Sequence, residues 1–182
     1  MNWYFSDPHF GHVNMAKHRG FSSVEEMDQT IIDNLNQYIT KKDIIYCLGD
    51  VFWEGAYQDI RKFFAKIKFS RMIFIKGNHD KKLLNFLNHT KDTRFELHDS
   101  LIVKDSGIQL HLYHYPIFDW DQKFHNKPDN FKYLHLHGHQ HQNQQNSLMR
   151  IKGAVNVNLD LNEYKPLNID DIKMIVNNQP DV

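Results

Sequence analysis

The stretch Met72-Ile73-Phe74-Ile75-Lys76-Gly77-Asn78-His79-Asp80 decides the fold. An apolar, β-branched run that ends in Gly and then in polar groups predicts a buried strand delivering a loop to the edge of a sheet. That edge is where α/β proteins keep their chemistry. The same pattern recurs in Ile44-Ile45-Tyr46-Cys47-Leu48-Gly49-Asp50 and in Trp3-Tyr4-Phe5-Ser6-Asp7-Pro8-His9.

Between these runs lie helical patterns. Ser22 and Ser23, with Glu25 and Glu26 three places on, offer a capping box, and Val24, Met27, Ile31, Leu35 and Tyr38 recur at helical spacing, predicting a helix to about Thr40. Tyr57, Ile60, Phe63, Phe64 and Ile67 form a second apolar helical face. Strands alternating with helices call for parallel pairing and right-handed crossovers. After a short helix around Lys82 to Leu87 the pattern turns to strands: Phe95 to Val103 and Ile108 to Tyr113 around the hairpin turn Asp105-Ser106-Gly107, then Tyr133 to His137 and Ile151 to Val157. Asn168 is placed to cap a closing helix through Ile169, Ile172, Ile175 and Val176. Gln140 to Asn146, rich in Gln and Asn, is expected to be an exposed loop.

With 182 residues and 41% hydrophobic content, one domain over residues 1–182 is expected, and no Pro/Gly/Ser linker divides it. Lys+Arg and Asp+Glu balance at 22 each, so no global positive field favours a long nucleic acid, although one is not excluded. No apolar run approaches the roughly 18 residues of a membrane span, and the single cysteine, Cys47, falls in a predicted buried strand. A soluble, cytoplasmic protein is expected.

Thirteen histidines stand against that one cysteine, an excess that suggests metal ligation. Collected at predicted strand ends are Asp7 and His9, Asp50, Asn78 and His79, His114, and His139 and His141. In extended backbone alternate side chains share a face, so Asp7 with His9, and His139 with His141, could each reach a common centre. Imidazole, carboxylate and amide oxygen together suit Mn, Fe or Zn better than Ca or Mg. So many such groups exceed one ion with open positions, and two ions about 3.5 to 4 Å apart sharing a carboxylate would account for them.

Asp-x-His at 7 to 9, Gly-Asp at 49 to 50, Gly-Asn-His-Asp at 77 to 80, His114, and Gly-His-x-His at 138 to 141, in that order, resemble the calcineurin-like metallophosphoesterase superfamily. The compact length and Arg19-Gly20-Phe21 resemble its small bacterial and phage members. The resemblance implies an α-β-β-α sandwich of two mixed β-sheets flanked by helices, with a dinuclear metal site at the sheet edge. It implies that Asp7, His9, Asp50 and His141 hold one divalent ion and Asp50, Asn78, His114 and His139 the other, with manganese first and iron or zinc as alternatives. His79 then assists the leaving group, and Asp80 orients His79. The implied activity is hydrolysis of phosphate mono- or diesters of a small phosphorylated substrate such as a nucleotide, by in-line attack of a hydroxide shared between the ions. A nuclease and a non-catalytic scaffold are the alternatives on the same fold. Arg19 is a further candidate, as a planar donor fork for a substrate phosphate, with a surface or helix-packing role as the alternative reading.

Overall fold

The computed structural model describes residues 1–53, 60–127, 130–141 and 151–179. Its strands are β1 (Asn2–Phe5), β2 (Ile44–Cys47), β3 (Arg71–Ile75), β4 (Phe95–His98), β5 (Ser100–Asp105), β6 (Ile108–Tyr113), β7 (Tyr133–His137) and β8 (Ala154–Asn156). The helices are α1 (Val13–His18), α2 (Val24–Tyr38), α3 (Ile60–Phe64), α4 (Lys81–His89) and α5 (Ile169–Asn177). Two four-stranded sheets flanked by helices result, in the orders β1-β2-β3-β4 and β5-β6-β7-β8.

The first sheet is parallel throughout, so the mixed character expected of both sheets belongs to the second alone, where β5 runs antiparallel to β6. β1, β2 and β3 are buried on both faces, as parallel strands under helical crossovers are, while β4 at the sheet's margin is half-buried. Trp3, Phe5, Ile45, Cys47, Met72 and Phe74 pack with Met27, Ile31 and Leu35 of α2 and Phe63 and Phe64 of α3. On the other face Tyr4, Tyr46, Leu48, Ile73 and Ile75 meet Leu110, Leu112, Leu134, Leu136 and Val155 of the second sheet. Ile169, Ile172 and Val176 of α5 join this core between the sheets.

The apolar run from Phe95 to Val103 is not one strand. It pairs with β3 as far as His98, then crosses at Asp99 and pairs with β6 in the other sheet. Residue alternation reports a strand's two faces but not its partner, so the crossing left no mark in the pattern. The hairpin turn lies where expected, with Ser106 and Gly107 both at positive φ (50° and 81°), as a two-residue primed turn requires. Ser23 Oγ accepts from the Glu26 N–H at the start of α2, and Asn168 and Asp171 form a reciprocal capping box on α5. α1, six residues capped by His12, was not expected. Tyr57 and residues 142–146 of the Gln/Asn-rich loop lie outside the described residues.

Register places the site. Phe5, Cys47 and Phe74 lie side by side across the first sheet, so the loops holding Asp7, Asp50 and Asn78 leave it at one edge. Leu112 and Leu136 pair in the second sheet, and the Gly138 N–H continues that ladder to the His114 carbonyl (2.9 Å). Near this edge the Ser6 N–H donates to the Val157 carbonyl just past β8, tying β1 to the second sheet, and Tyr4 exchanges two backbone hydrogen bonds with Leu167 ahead of α5.

Candidate metal centre

The turns that carry the site are backbone exceptions. Asp7, His9, Asp50 and His139 have φ of 56°, 50°, 54° and 67°, the left-handed region that L-residues adopt sparingly. The extended backbone expected around Asp7 and around His139 is therefore corrected: convergence comes from left-handed kinks, which an alternation argument does not foresee. Neighbouring loops hold the kinks. The Asp7 N–H donates to the Gly49 carbonyl and the His9 N–H to the Asp50 carbonyl, both at 3.0 Å. The loops lie so close that a Cβ on Gly49 would stand 2.8 Å from Gly77 Cα and 2.5 Å from His114 Nδ1. One on Gly138 would stand 2.3 Å from Asp7 Oδ2.

The structure brings together all seven side chains expected as ligands. Two three-member sets have donor atoms within 4.8 Å of one another, Asp7-His9-His141 and Asp7-Asp50-His114. Each carboxylate is split between two tasks. Asp7 Oδ2 accepts from the His139 N–H (3.0 Å), while Oδ1 stands 3.8 Å from His9 Nε2 and 3.9 Å from His141 Nε2. Asp50 Oδ1 accepts from the His79 N–H (2.8 Å), while Oδ2 stands 3.8 Å from His9 Nε2 and 3.7 Å from His114 Nε2. Asn78 Oδ1 lies 3.1 Å from both His114 Nε2 and His139 Nδ1. His114 is oriented from behind, its Nδ1 on the Leu48 carbonyl at 2.7 Å.

These groups fit metal ions. Separations of 3.7 to 3.9 Å are too long for hydrogen bonds and a few tenths of an ångström longer than the roughly 3.4 Å edge of a tetrahedron with bonds of about 2.1 Å, so small shifts would bring these atoms round an ion. Asp7 Oδ1 and both ring nitrogens of His9 are buried without a hydrogen-bond partner, a state that costs roughly 1–3 kcal/mol per group unless something else satisfies it. Burial, with a smaller push from Asp50, raises the Asp7 pKa to about 6. Burial first, then the Arg19 charge, lowers that of His9, so an unprotonated nitrogen is presented. Burial and then the charge of His114 lower His139 in the same way. Burial alone would also lower His141, but its hydrogen bond to Asp160 and the charge of Asp7 raise it.

Asp80 does not serve His79. It is buried, and its two oxygens accept from the backbone N–H groups of Asp50 (2.9 Å), Val51 (2.7 Å) and Gly77 (2.7 Å), so it clamps the Asp50 loop to the Gly77 turn. A carboxylate directly after a histidine need not reach the ring when the turn aims it at the backbone. Arg19 does not face a substrate. Its side chain is 2% exposed, donates to the carbonyls of Asp7 (2.7 Å) and Pro8 (2.9 Å), and pairs through Nε with Asp160 (2.6 Å). Asp160 in turn contacts His141 Nδ1 at 2.5 Å, fixing which nitrogen faces Asp7. Asp28 holds the Gly11 N–H and so the loop between His9 and His12. No motif marked Asp160 or Asp28, because each acts on a loop distant in sequence. His79 is exposed at the mouth, its ring 5.9 Å from that of His9 and 5.1 Å from Trp53.

Buried imidazoles and carboxylates gathered where two sheets meet define a site able to hold metal ions. Residues 3–178 match the model of the calcineurin-like phosphoesterase family, and the chain belongs to that family. It is 29% identical over 185 residues to an uncharacterized protein of Methanocaldococcus jannaschii, covering 94% of this chain and 88% of that one. Its fold is similar to the crystal structure of a protein of unknown function from Aquifex aeolicus, with a TM-score of 0.71 and 26% identity over 96% of this chain and 98% of that one. Membership makes the chain a metal-dependent phosphoesterase in general and implies divalent ions. Among the described residues no helix is long and apolar enough to cross a membrane.

Proposed function

We propose that this protein hydrolyses phosphate mono- or diesters of a small substrate with two divalent ions, manganese first. The observation that carries it is the position of Asp50 Oδ2, 3.8 Å from His9 Nε2 and 3.7 Å from His114 Nε2, between the two clusters. Asp7, His9, Asp50 and His141 would hold one ion, and Asp50, Asn78, His114 and His139 the other. Asp7 figures in both compact sets, which keeps it within reach of either ion.

When bound, two such ions hold phosphoryl oxygens and lower the pKa of water to about 7 in favourable sites. The chain's own residues set the rest. Asp7 and Asp50 are the only carboxylates in the two sets, so the loaded site remains positive and calls for an anion. His79, exposed beside His9, would give a proton to the departing alkoxide, and Trp53 packs against its ring. Arg19 and Asp160 keep His141 aimed, and Asp80 keeps Asp50 in place. The balanced net charge favours a small phosphorylated ligand over a long polyanion, and the single buried thiol of Cys47 suits a reducing cytoplasm.

The test is metal analysis of the purified protein followed by parallel assays on p-nitrophenyl phosphate and bis-p-nitrophenyl phosphate with added manganese. Two ions per chain and manganese-stimulated turnover of either ester are expected. A protein that loads manganese and cleaves neither ester overturns the enzymatic reading and leaves the scaffold.

A further inference from the structure

His12 lies outside every ligand set, yet its ring is fixed on three sides. Its Nδ1 accepts from the Met15 N–H (3.3 Å), which makes it the N-cap of α1. Its ring lies on Trp53, with centroids 3.7 Å apart, and meets His9 edge-on at 5.8 Å. The preceding Gly11 is held through its N–H by both oxygens of Asp28. An N–H donor can be met only by a bare ring nitrogen, so the proton of this neutral imidazole sits on Nε2. Among the described residues the Met15 N–H is the one hydrogen-bond partner of the ring, which leaves Nε2–H open, and His12 is only half-buried. Trp53 also lies against His79, 5.1 Å away, so one indole holds two imidazoles at the mouth of the centre. Ser, Thr, Asp and Asn are the preferred N-caps, and a histidine there departs from local preference in a way that function explains better than helix stability.

We propose that His12 is a substrate-contacting residue, donating Nε2–H to a non-bridging oxygen of the phosphoryl group, with Trp53 as the positioning residue that sets its ring plane. The cap fixes the tautomer: while Nδ1 accepts from the Met15 N–H, the proton stays on Nε2. The inference rests on the phosphoesterase reading above and deepens it, since it names a residue that binds phosphate without binding metal.

Two substitutions separate this role from the structural ones. His12→Ser keeps an N-cap acceptor but loses the ring, and His12→Phe keeps a ring for Trp53 but loses cap and donor. The manganese-loaded wild type and both variants are titrated with inorganic phosphate by calorimetry, and kcat and KM are measured on both p-nitrophenyl esters. Both variants are expected to retain wild-type manganese stoichiometry, to bind phosphate about tenfold more weakly, and to show a KM raised by a similar factor, the scale of one hydrogen bond to a charged acceptor. Wild-type phosphate affinity in His12→Ser reduces the residue to a helix cap, and in His12→Phe to packing; either result overturns the proposal. A wild type that binds manganese and phosphate but cleaves neither ester overturns the enzymatic reading alone, and one that cleaves an ester while both variants keep its KM and phosphate affinity overturns the role of His12 alone.

Discussion

Replacing Asp80 by asparagine tests how the site is held together. The carboxylate accepts three backbone hydrogen bonds of 2.7 to 2.9 Å in a setting that is 1% exposed. An asparagine of the same shape keeps one oxygen. Set on the side of Gly77 and Asp50, it turns its NH2 toward the Val51 N–H, so one bond is lost and two become neutral. A hydrogen bond to a charged group is worth about 1.5–3 kcal/mol and a neutral one about 1. The change should therefore cost about 3–5 kcal/mol, a large share of the 5–15 kcal/mol typical of a domain. For a chain of this size that is roughly 6–20 °C in Tm. Urea unfolding of the metal-free protein reads the loss, and manganese content after dialysis should fall with it because Asp50 is freed. If Asp80→Asn unfolds within about 0.5 kcal/mol of wild type and loses turnover alone, the clamp is wrong and Asp80 belongs to His79 after all.

Arg19→Lys, which cannot serve Asp7, Pro8 and Asp160 together, should weaken manganese affinity by roughly tenfold or more; raised KM with unchanged metal affinity would instead make Arg19 a substrate clamp. His79→Ala should keep its metal content and lose turnover most for the poorest leaving groups, so equal losses on nitrophenyl and alkyl esters would refute a proton-donor role. His135 donates from Nδ1 to the His111 carbonyl and accepts at Nε2 from the Ile117 N–H, a neutral imidazole held on both sides. Burial, then the neighbouring His137, lowers its pKa to about 4. The folded state thus resists a proton that the unfolded chain takes up near pH 6.5, so stability is full above about 6.5 and falls toward pH 4, by up to about 1.4 kcal/mol per pH unit for each such group. His135→Phe should flatten that slope in urea unfolding between pH 7 and 5, and an unchanged slope would assign it to other groups.

Much of this was legible in the chain because local and global preferences agree. Three apolar runs ending in Gly or Ser and then polar groups gave the buried strands and their functional ends, and Asn168 and Ser23 cap the helices they were expected to cap. The gathering of the seven candidate ligands was legible as an ordered collection of strand ends. What was hidden is non-local or conformational. The crossing at Asp99 depends on which sheet a strand joins. The pairing of Arg19 with Asp160 depends on loops more than a hundred residues apart in sequence, and a guanidinium near a phosphoesterase motif invites a substrate role that burial rules out. The left-handed turns at Asp7, His9, Asp50 and His139 carry no sequence mark, because the residue types that ligate metal also tolerate that backbone.

That coincidence bears on how such a site can change over time. Asn shares the left-handed tolerance of Asp, so a single Asp-to-Asn replacement at position 7 or 50 removes a charge while leaving the turn intact. A β-branched residue at either place would disturb turn and chemistry together. Catalysis can therefore be silenced by a substitution that the scaffold barely registers, and a lineage can pass from enzyme to binding module without first losing its shape.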